Sequence, residues 1–308
     1  MTMSPPRIRA QMSGISEAPG KVWFWELAAA VIDAGRCVQC GACVAACPTD
    51  SIGLGSDDLP RLVKMCTGCS LCWDFCPRGG LAYEATWLPA GKQAGEVADP
   101  EAVSTPLDDW RISGADPAPG LGKVTEALAA RVTRRDKLWP QHAQDGGVVT
   151  AILLASLAAG EIDGAVVARE DPDHPWKGVP HLATTSAEIR AASGSFYNQT
   201  MALGRLDLAS VGLASDARIA VVGTPCEIQG IRALQAREWR RGASRVENVV
   251  LTIALLCTKS FDYRKLMVQE LSNERGLSLA EIGKVDVIHG RMIVEDWSGG
   301  TLVDEPVK

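Results

Sequence analysis

Eight of the ten cysteines fall between residues 37 and 76, in two copies of one spacing. The first copy is CVQCGACVAACP, with Cys37, Cys40, Cys43 and Cys47 closed by Pro48. The second is CTGCSLCWDFCP, with Cys66, Cys69, Cys72 and Cys76 closed by Pro77. Both read C-x2-C-x2-C-x3-C-P. Three thiolates two residues apart on a turning loop reach three corners of an iron–sulfur cube. The fourth lies too far along its own run and ligates the other cube. The expected wiring is Cys37, Cys40 and Cys43 with Cys76, and Cys66, Cys69 and Cys72 with Cys47. Gly41, Gly68 and the small residues between ligands keep each loop close to its cluster and leave amides free to face sulfur.

This is the bacterial ferredoxin run, and it predicts an N-terminal domain with two [4Fe–4S] clusters. Structural zinc is the other reading of clustered cysteines. Zinc sites pair two cysteines with two more ligands at a distance, and two four-cysteine runs closed by proline fit that badly. A secreted disulfide scaffold is a poor match as well, because such scaffolds are small and this chain has 308 residues. The motif says electron transfer without saying from what to what.

The composition, 46% hydrophobic and 22% charged, suits two or three globular pieces. With 31 basic and 37 acidic residues the net charge is −6, which argues against a general nucleic-acid binder. The longest apolar stretch, VVTAILLASLAAG at 148–160, is too short to span a bilayer and reads as a buried helix. The start, MTMSPPRIRAQMSG, lacks the apolar core of a secretory signal, so a cytoplasmic protein is expected.

Beyond an N-terminal extension (1–21), the expected cluster domain runs over 22–87. It opens with a short helix at 22–33, VWFWELAAAVID, whose Trp23 and Trp25 are read first as packing on the cluster core, with packing on a partner as the other reading. A Pro/Gly/Ala/Asp-rich linker follows at 88–122. From 123 onward helical and strand patterns alternate. KVTEALAARVTRR suits an amphipathic helix. IDGAVVA, PHLATT, ARIAVVG and VENVVLTIALLC read as strands, and CEIQGIRALQAREWRRG and DYRKLMVQELSNERG as helices. VDVIHG and MIVEDW read as a final hairpin-like pair. Thr185 and Glu188 have capping-box spacing. Alternation of this kind predicts an α/β domain with a mixed, partly parallel sheet, its first part at 123–215 and its second at 216–308.

Within that domain, QDGGVVT places Gly146 and Gly147 before a helix, where bare amides suit an anion such as a flavin phosphate. Taken alone it reads first as a tight turn. ASGSFYNQT (192–200) clusters small and hydroxyl residues around Phe196 and Tyr197. It suits either a cofactor contact or a polar loop. GTPCEIQG sets Cys226 at a strand-to-helix turn, a position that ligands favour in open α/β sheets. Cys257 closes the next strand, so neighbouring strands would bring the two sulfurs to one site. Small buried residues are the plainer reading. No G-x-G-x-x-G or P-loop motif occurs. His142, His174, His181 and His289 show no ligand spacing, and AREWRRG reads as a solvated helix end.

Taken in order, the paired cysteine runs, QDGGVVTAILLASLAAGEIDGAVVA, ATTSAEIRAASGSFYNQT, GTPCEIQGIRAL and LLCTKSFDY resemble the beta-subunit family of coenzyme F420 hydrogenases and dehydrogenases. The resemblance implies bound FAD, for which Gly146, Gly147, Thr150, Ser193, Ser195, Tyr197 and Thr224 are the expected contacts. It implies electrons moving singly through clusters, and hydride exchange between the flavin and a deazaflavin or similar acceptor. The implied partners are other subunits of a hydrogenase or dehydrogenase complex, or ferredoxin. It also implies a third [4Fe–4S] cluster to which Cys226 and Cys257 supply two ligands. The other ligands usually lie in a later C-x2-C run, which these 308 residues do not contain, so either the sequence is a fragment, or a partner supplies the remaining ligands from outside it, or this cluster is absent. Phe196 stands where the family has a basic residue. Two alternatives share the scaffold: a reductase of a chlorophyll-type or other organic substrate, and a subunit that relays electrons through clusters alone.

Overall fold

In the computed structural model, residues 22–79, 128–133, 146–205, 212–235, 246–257 and 260–307 are described. The linker expected at 88–122 and the charged segment AREWRRG lie outside them. Helix α1 (Phe24–Leu27) opens the cluster domain and continues as a π-wound turn, Ala28–Ile32. Phe24, Leu27 and Val31 recur on one face and are buried beside the cysteines. Trp25 falls on the opposite face, 51% exposed and stacked on Trp23 with ring centroids 4.7 Å apart. The helical period, which assigns the core to 24, 27 and 31, thus corrects the expectation that Trp25 packs inward.

The two cysteine runs fold alike. Each carries left-handed backbone at equivalent positions, Gln39 and Gly41 in the first copy, Gly68 and Ser70 in the second. Each then enters a short helix, α2 (Ala42–Ala46) or α3 (Leu71–Asp74). A two-stranded antiparallel hairpin, β1 (Ile52–Leu54) and β2 (Pro60–Leu62), joins them.

The α/β region holds a four-stranded mixed sheet in the order β4-β3-β5-β6, built from β3 (Gly164–Asp171), β4 (His174–Ala183), β5 (Ile219–Gly223) and β6 (Val249–Ala254). The β3–β4 pair is antiparallel, and β3–β5 and β5–β6 are parallel. Strand alternation divides the side chains between two cores. Ala165, Val167 and Ala220 face α4 (Val148–Ala158) and α5 (Ser186–Ala191). Val166, Ile219 and Val221 face α6 (Pro225–Gln235) and, across it, α2 and α3 of the cluster domain. One hydrophobic core is therefore shared by both domains.

That contact needs small residues. A Cβ on Gly41 would stand 2.8 Å from the Gly204 amide nitrogen, and its φ of +78° is itself left-handed. A Cβ on Gly230, in α6, would stand 2.9 Å from Leu203 Cδ1 and 3.4 Å from Ala42 Cβ.

The expected helix over 123–135 is not formed where it is described. Residues 128–133 are irregular and mostly exposed, and the Val132 amide bonds to the Gly146 carbonyl. With no face to bury, amphipathic periodicity alone does not hold a helix. The C-terminal segment forms a three-stranded antiparallel meander, β7 (Ile282–Ile288), β8 (Arg291–Asp296) and β9 (Thr301–Pro306), rather than a lone hairpin. It packs on a π-wound helix, Arg264–Glu274, through Met267, Leu271, Val285 and Val294.

Candidate iron–sulfur and flavin site

Each cysteine run aims backbone amides at its own sulfurs. Gln39 N donates to Cys37 Sγ at 3.4 Å, and Gly68 N to Cys66 Sγ at 3.3 Å, the same bond in each copy. Ser51 N donates to Cys47 Sγ at 3.2 Å. The left-handed residues turn these amides inward, which is why glycine and small residues recur between ligands.

The electrostatic neighbours of the thiols sort into two sets. Burial pushes the Cys40 thiol well up, and Cys76, Cys226 and Cys43 push it further. Burial does the same to Cys43, followed by Cys76, Cys72 and Cys37. Cys72 is raised by burial and then by Cys69, Cys66 and Cys47. Burial pushes Cys76 up to about 11, with a smaller contribution from Cys37. Cys37, Cys40, Cys43 and Cys76 thus face one another, as do Cys47, Cys66, Cys69 and Cys72. Among the described residues no three Cys, His, Asp or Glu side chains stand close enough to share one metal ion. A ring of four sulfurs with inward amides fits a polynuclear cluster.

The first set touches the α/β region. Cys226, the second residue of α6, is among the neighbours of Cys40, and Cys257 is among those of Cys226. β5 and β6 are parallel neighbours, so both cysteines leave the same edge of the sheet. Cys226 is partly buried, and Cys257, three residues past β6, is exposed.

Two residues missing from the candidates drawn from the sequence build this corner. The Glu227 carboxylate, 1% exposed, accepts from Ala202 N (3.0 Å), Thr224 N (2.7 Å) and Thr224 Oγ1 (3.1 Å). Burial pushes its carboxyl up. Gln199 Nε2 donates to Thr224 Oγ1 at 2.9 Å and reaches Cys226 Sγ at 3.7 Å. The signal for Glu227 was present: Thr224-Pro225-Cys226-Glu227 has the same T-x-x-E spacing as Thr185…Glu188, with proline at the first helical position.

The expected flavin contacts separate into three places. Gly147 is left-handed at the start of α4, with no side-chain cap on its first amides, and Gly146 precedes it in a turn. Thr150 Oγ1 lies 3.2 Å from Ser193 Oγ, both buried, beside that helix start. Uncapped amides next to two hydroxyls suit an anionic group. Thr224 stands apart, hydrogen-bonded to the Cys226 sulfur at 3.1 Å. Tyr197 is turned elsewhere: its hydroxyl donates to Asp286 Oδ1 at 2.9 Å and accepts from Val287 N, tying the loop to β7. Ser195, part-buried in the same loop, joins neither group through any described side-chain bond.

The profile for the coenzyme F420 hydrogenase/dehydrogenase beta subunit matches the chain twice, its N-terminal part over residues 127–207 and its C-terminal part over 216–305. The chain belongs to this family. A 4Fe-4S dicluster domain matches residues 30–81, which decides for iron–sulfur over zinc in the paired runs. The chain is similar to the coenzyme F420 hydrogenase beta subunit of Methanosarcina barkeri, 32% identical over 192 residues, covering 62% of this chain and 63% of that one. It is also similar to the coenzyme F420-dependent sulfite reductase of Methanocaldococcus jannaschii, 26% identical over 285 residues, covering 86% of this chain and 37% of that one. Among solved structures, a xenon derivative of the F420-reducing [NiFe] hydrogenase complex from Methanosarcina barkeri matches with a TM-score of 0.50 and 30% identity, covering 57% of this chain and 58% of that one. Against both curated relatives the match spans less than two thirds of the relative. This F420 hydrogenase/dehydrogenase beta-subunit relative is thus an iron–sulfur oxidoreductase subunit, and among the described residues no helix is long and apolar enough to cross a membrane.

Proposed function

We propose that the chain passes electrons between two [4Fe–4S] clusters and an FAD, within a complex that oxidises or reduces coenzyme F420 or a similar hydride carrier. The observation that carries this reading is the unbroken file of sulfurs across the domain boundary. Cys72 of one ring neighbours Cys43 of the other, Cys40 of that ring neighbours Cys226, and Cys226 neighbours Cys257. Electron transfer needs short steps, and the shared core holds these groups in fixed order. The sorting of the thiols supports the crossed wiring, Cys37/Cys40/Cys43/Cys76 and Cys66/Cys69/Cys72/Cys47. It also supports Cys226 and Cys257 as part of a further centre.

The residues of the chain have distinct tasks. The Gly147 turn and the Thr150–Ser193 pair hold an anionic part of the cofactor, and Gly146 allows the chain to pass close by. Thr224 and Gln199 fix the Cys226 sulfur. Cys40, Cys47 and Cys72 are buried and the other five ring cysteines partly so, which limits the access of water to the clusters. FAD, when bound, supplies the exchange between one-electron and two-electron chemistry, and this chain positions and tunes it.

The test is anaerobic addition of reduced F420 to the purified full chain. Bleaching of the flavin band, followed by a reduced-cluster EPR signal, is expected. A bleached flavin without cluster reduction would contradict the electron path. No bleaching by reduced F420, with full bleaching by dithionite, would move the substrate to another class of reductant.

A further inference from the structure

Trp73 stands between two cluster cysteines, one residue past Cys72 and three before Cys76. Its indole packs in the core that gathers Phe24, Leu27 and Val31 with both cysteine rings. Its ring lies on the Cys76 side. A Cβ built on Gly79 would be 3.4 Å from Trp73 Cδ2 and 3.2 Å from Cys76 Cβ, and Cys76 N donates to the Trp73 carbonyl at 3.1 Å. The Nε1 atom is buried and has no hydrogen-bond partner among the described residues. An indole N–H is a donor with no acceptor role, and leaving its bond unmade in a core is destabilising. Native proteins keep few such groups, and a redox role or a bound ion or water is among the reasons they keep one. Cys37, Cys43, Cys47, Cys66, Cys72 and Cys76 share this core with Trp73, which puts sulfur among the acceptors within the indole's surroundings.

We propose that the Trp73 indole N–H donates a hydrogen bond to a sulfur of the cluster that Cys76 completes, and thereby sets that cluster's reduction potential apart from its twin's. The reduced cluster carries one more negative charge, so a donor aimed at its sulfur stabilises the reduced form more than the oxidised one. The equivalent position in the first run is Val44, which has no such donor. The internal repeat thus builds two similar cubes and marks one of them with an indole. Trp73 touches no substrate; it is a tuning residue acting on a cofactor.

This rests on the two-cluster reading, which fails separately if the same sample lacks about eight irons and eight sulfides per chain. The experiment uses the full chain, purified anaerobically with its clusters, labelled with 15N at the tryptophan indole. Pulsed EPR of the reduced protein is expected to show a weak 15N coupling that disappears in Trp73→Phe. Redox titration of Trp73→Phe is expected to show one centre harder to reduce by about tenfold in its equilibrium constant, 59 mV for one electron. That centre is expected to be the one whose EPR spectrum changes in Cys76→Ser. Trp25→Phe, at the exposed ring, is expected to leave both potentials unchanged. Trp73→Phe with unaltered iron content, both potentials unmoved and no 15N coupling in the parent would overturn the proposal and assign the N–H to a buried water. A shift confined to the centre that Cys76→Ser leaves alone would overturn it too.

Discussion

Gly41 does two things at one backbone position. It turns the first cysteine loop through a left-handed conformation, and it lets the loop lie against Gly204 of the other domain. Gly41→Val is expected to combine a strained φ with a backbone clash and to cost roughly 2–4 kcal/mol. Thermal unfolding of the loaded protein measures it, with partial loss of iron. Glu227 is the second such residue. Glu227→Ala leaves the Ala202 and Thr224 amides without an acceptor in a buried corner, a loss of roughly 2–6 kcal/mol at about 1–3 kcal/mol per orphaned donor. The cysteines give a pH prediction for the metal-free chain. The folded thiol of Cys76 titrates near 11 and its ordinary value is 9.0, so the folded state holds its proton where the unfolded state has released it. That contribution to stability is complete below about pH 9 and fades as pH rises toward 11. Denaturant unfolding of metal-free protein at pH 8 and 10.5 should show the loss, and the loaded protein should not, because its thiolates are already bound. The cluster cysteines were legible in the sequence because their spacing is local. The nearness of Cys226 to Cys40 was not, because it comes from packing α2 on α6 through Ala42 and Gly230.

At the scale of elements, what the sequence revealed depended on whether a segment's pattern matched its burial. β3 and β5 alternate cleanly between two cores, and both were legible as strands. The start of α5 was legible too. Glu188 closes a capping box with Thr185, its carboxyl held below the usual range by the Thr184 amide, and Glu188→Ala should cost roughly 1 kcal/mol with no change in iron content. β9 was missed because five of its six residues, all but Val303, are exposed, which leaves almost no periodicity to read. The irregular 128–133 segment shows the converse, a helical pattern with nothing to bury it against. Side-chain direction in the 192–200 loop was not legible either. Composition grouped Tyr197 with Ser193 and Ser195, but the fold turns its hydroxyl to Asp286, some 90 residues away in sequence. Tyr197→Phe is accordingly expected to loosen the β7 contact by about 1 kcal/mol and to leave flavin content unchanged, as read by unfolding and by absorbance.

Over the whole molecule, the cluster domain is not a tethered ferredoxin. It forms one wall of the core under the mixed sheet, with Ala42, Ala45 and Phe75 buried among Val166, Ile219 and Val221. Rigid union keeps one cysteine ring beside the Cys226 corner and leaves the other one step further out. On the proposed function, electrons enter or leave by the outer ring and meet the flavin through the inner one. The proposed electron path depends on the cofactors that this arrangement would hold. The most direct measurement is iron, acid-labile sulfide and flavin per chain, on protein purified without oxygen. About eight irons, eight sulfides and one FAD are expected, rising toward twelve irons if a partner completes the centre at Cys226 and Cys257. A full complement of iron with no flavin would contradict it, leaving a subunit that relays electrons through clusters alone.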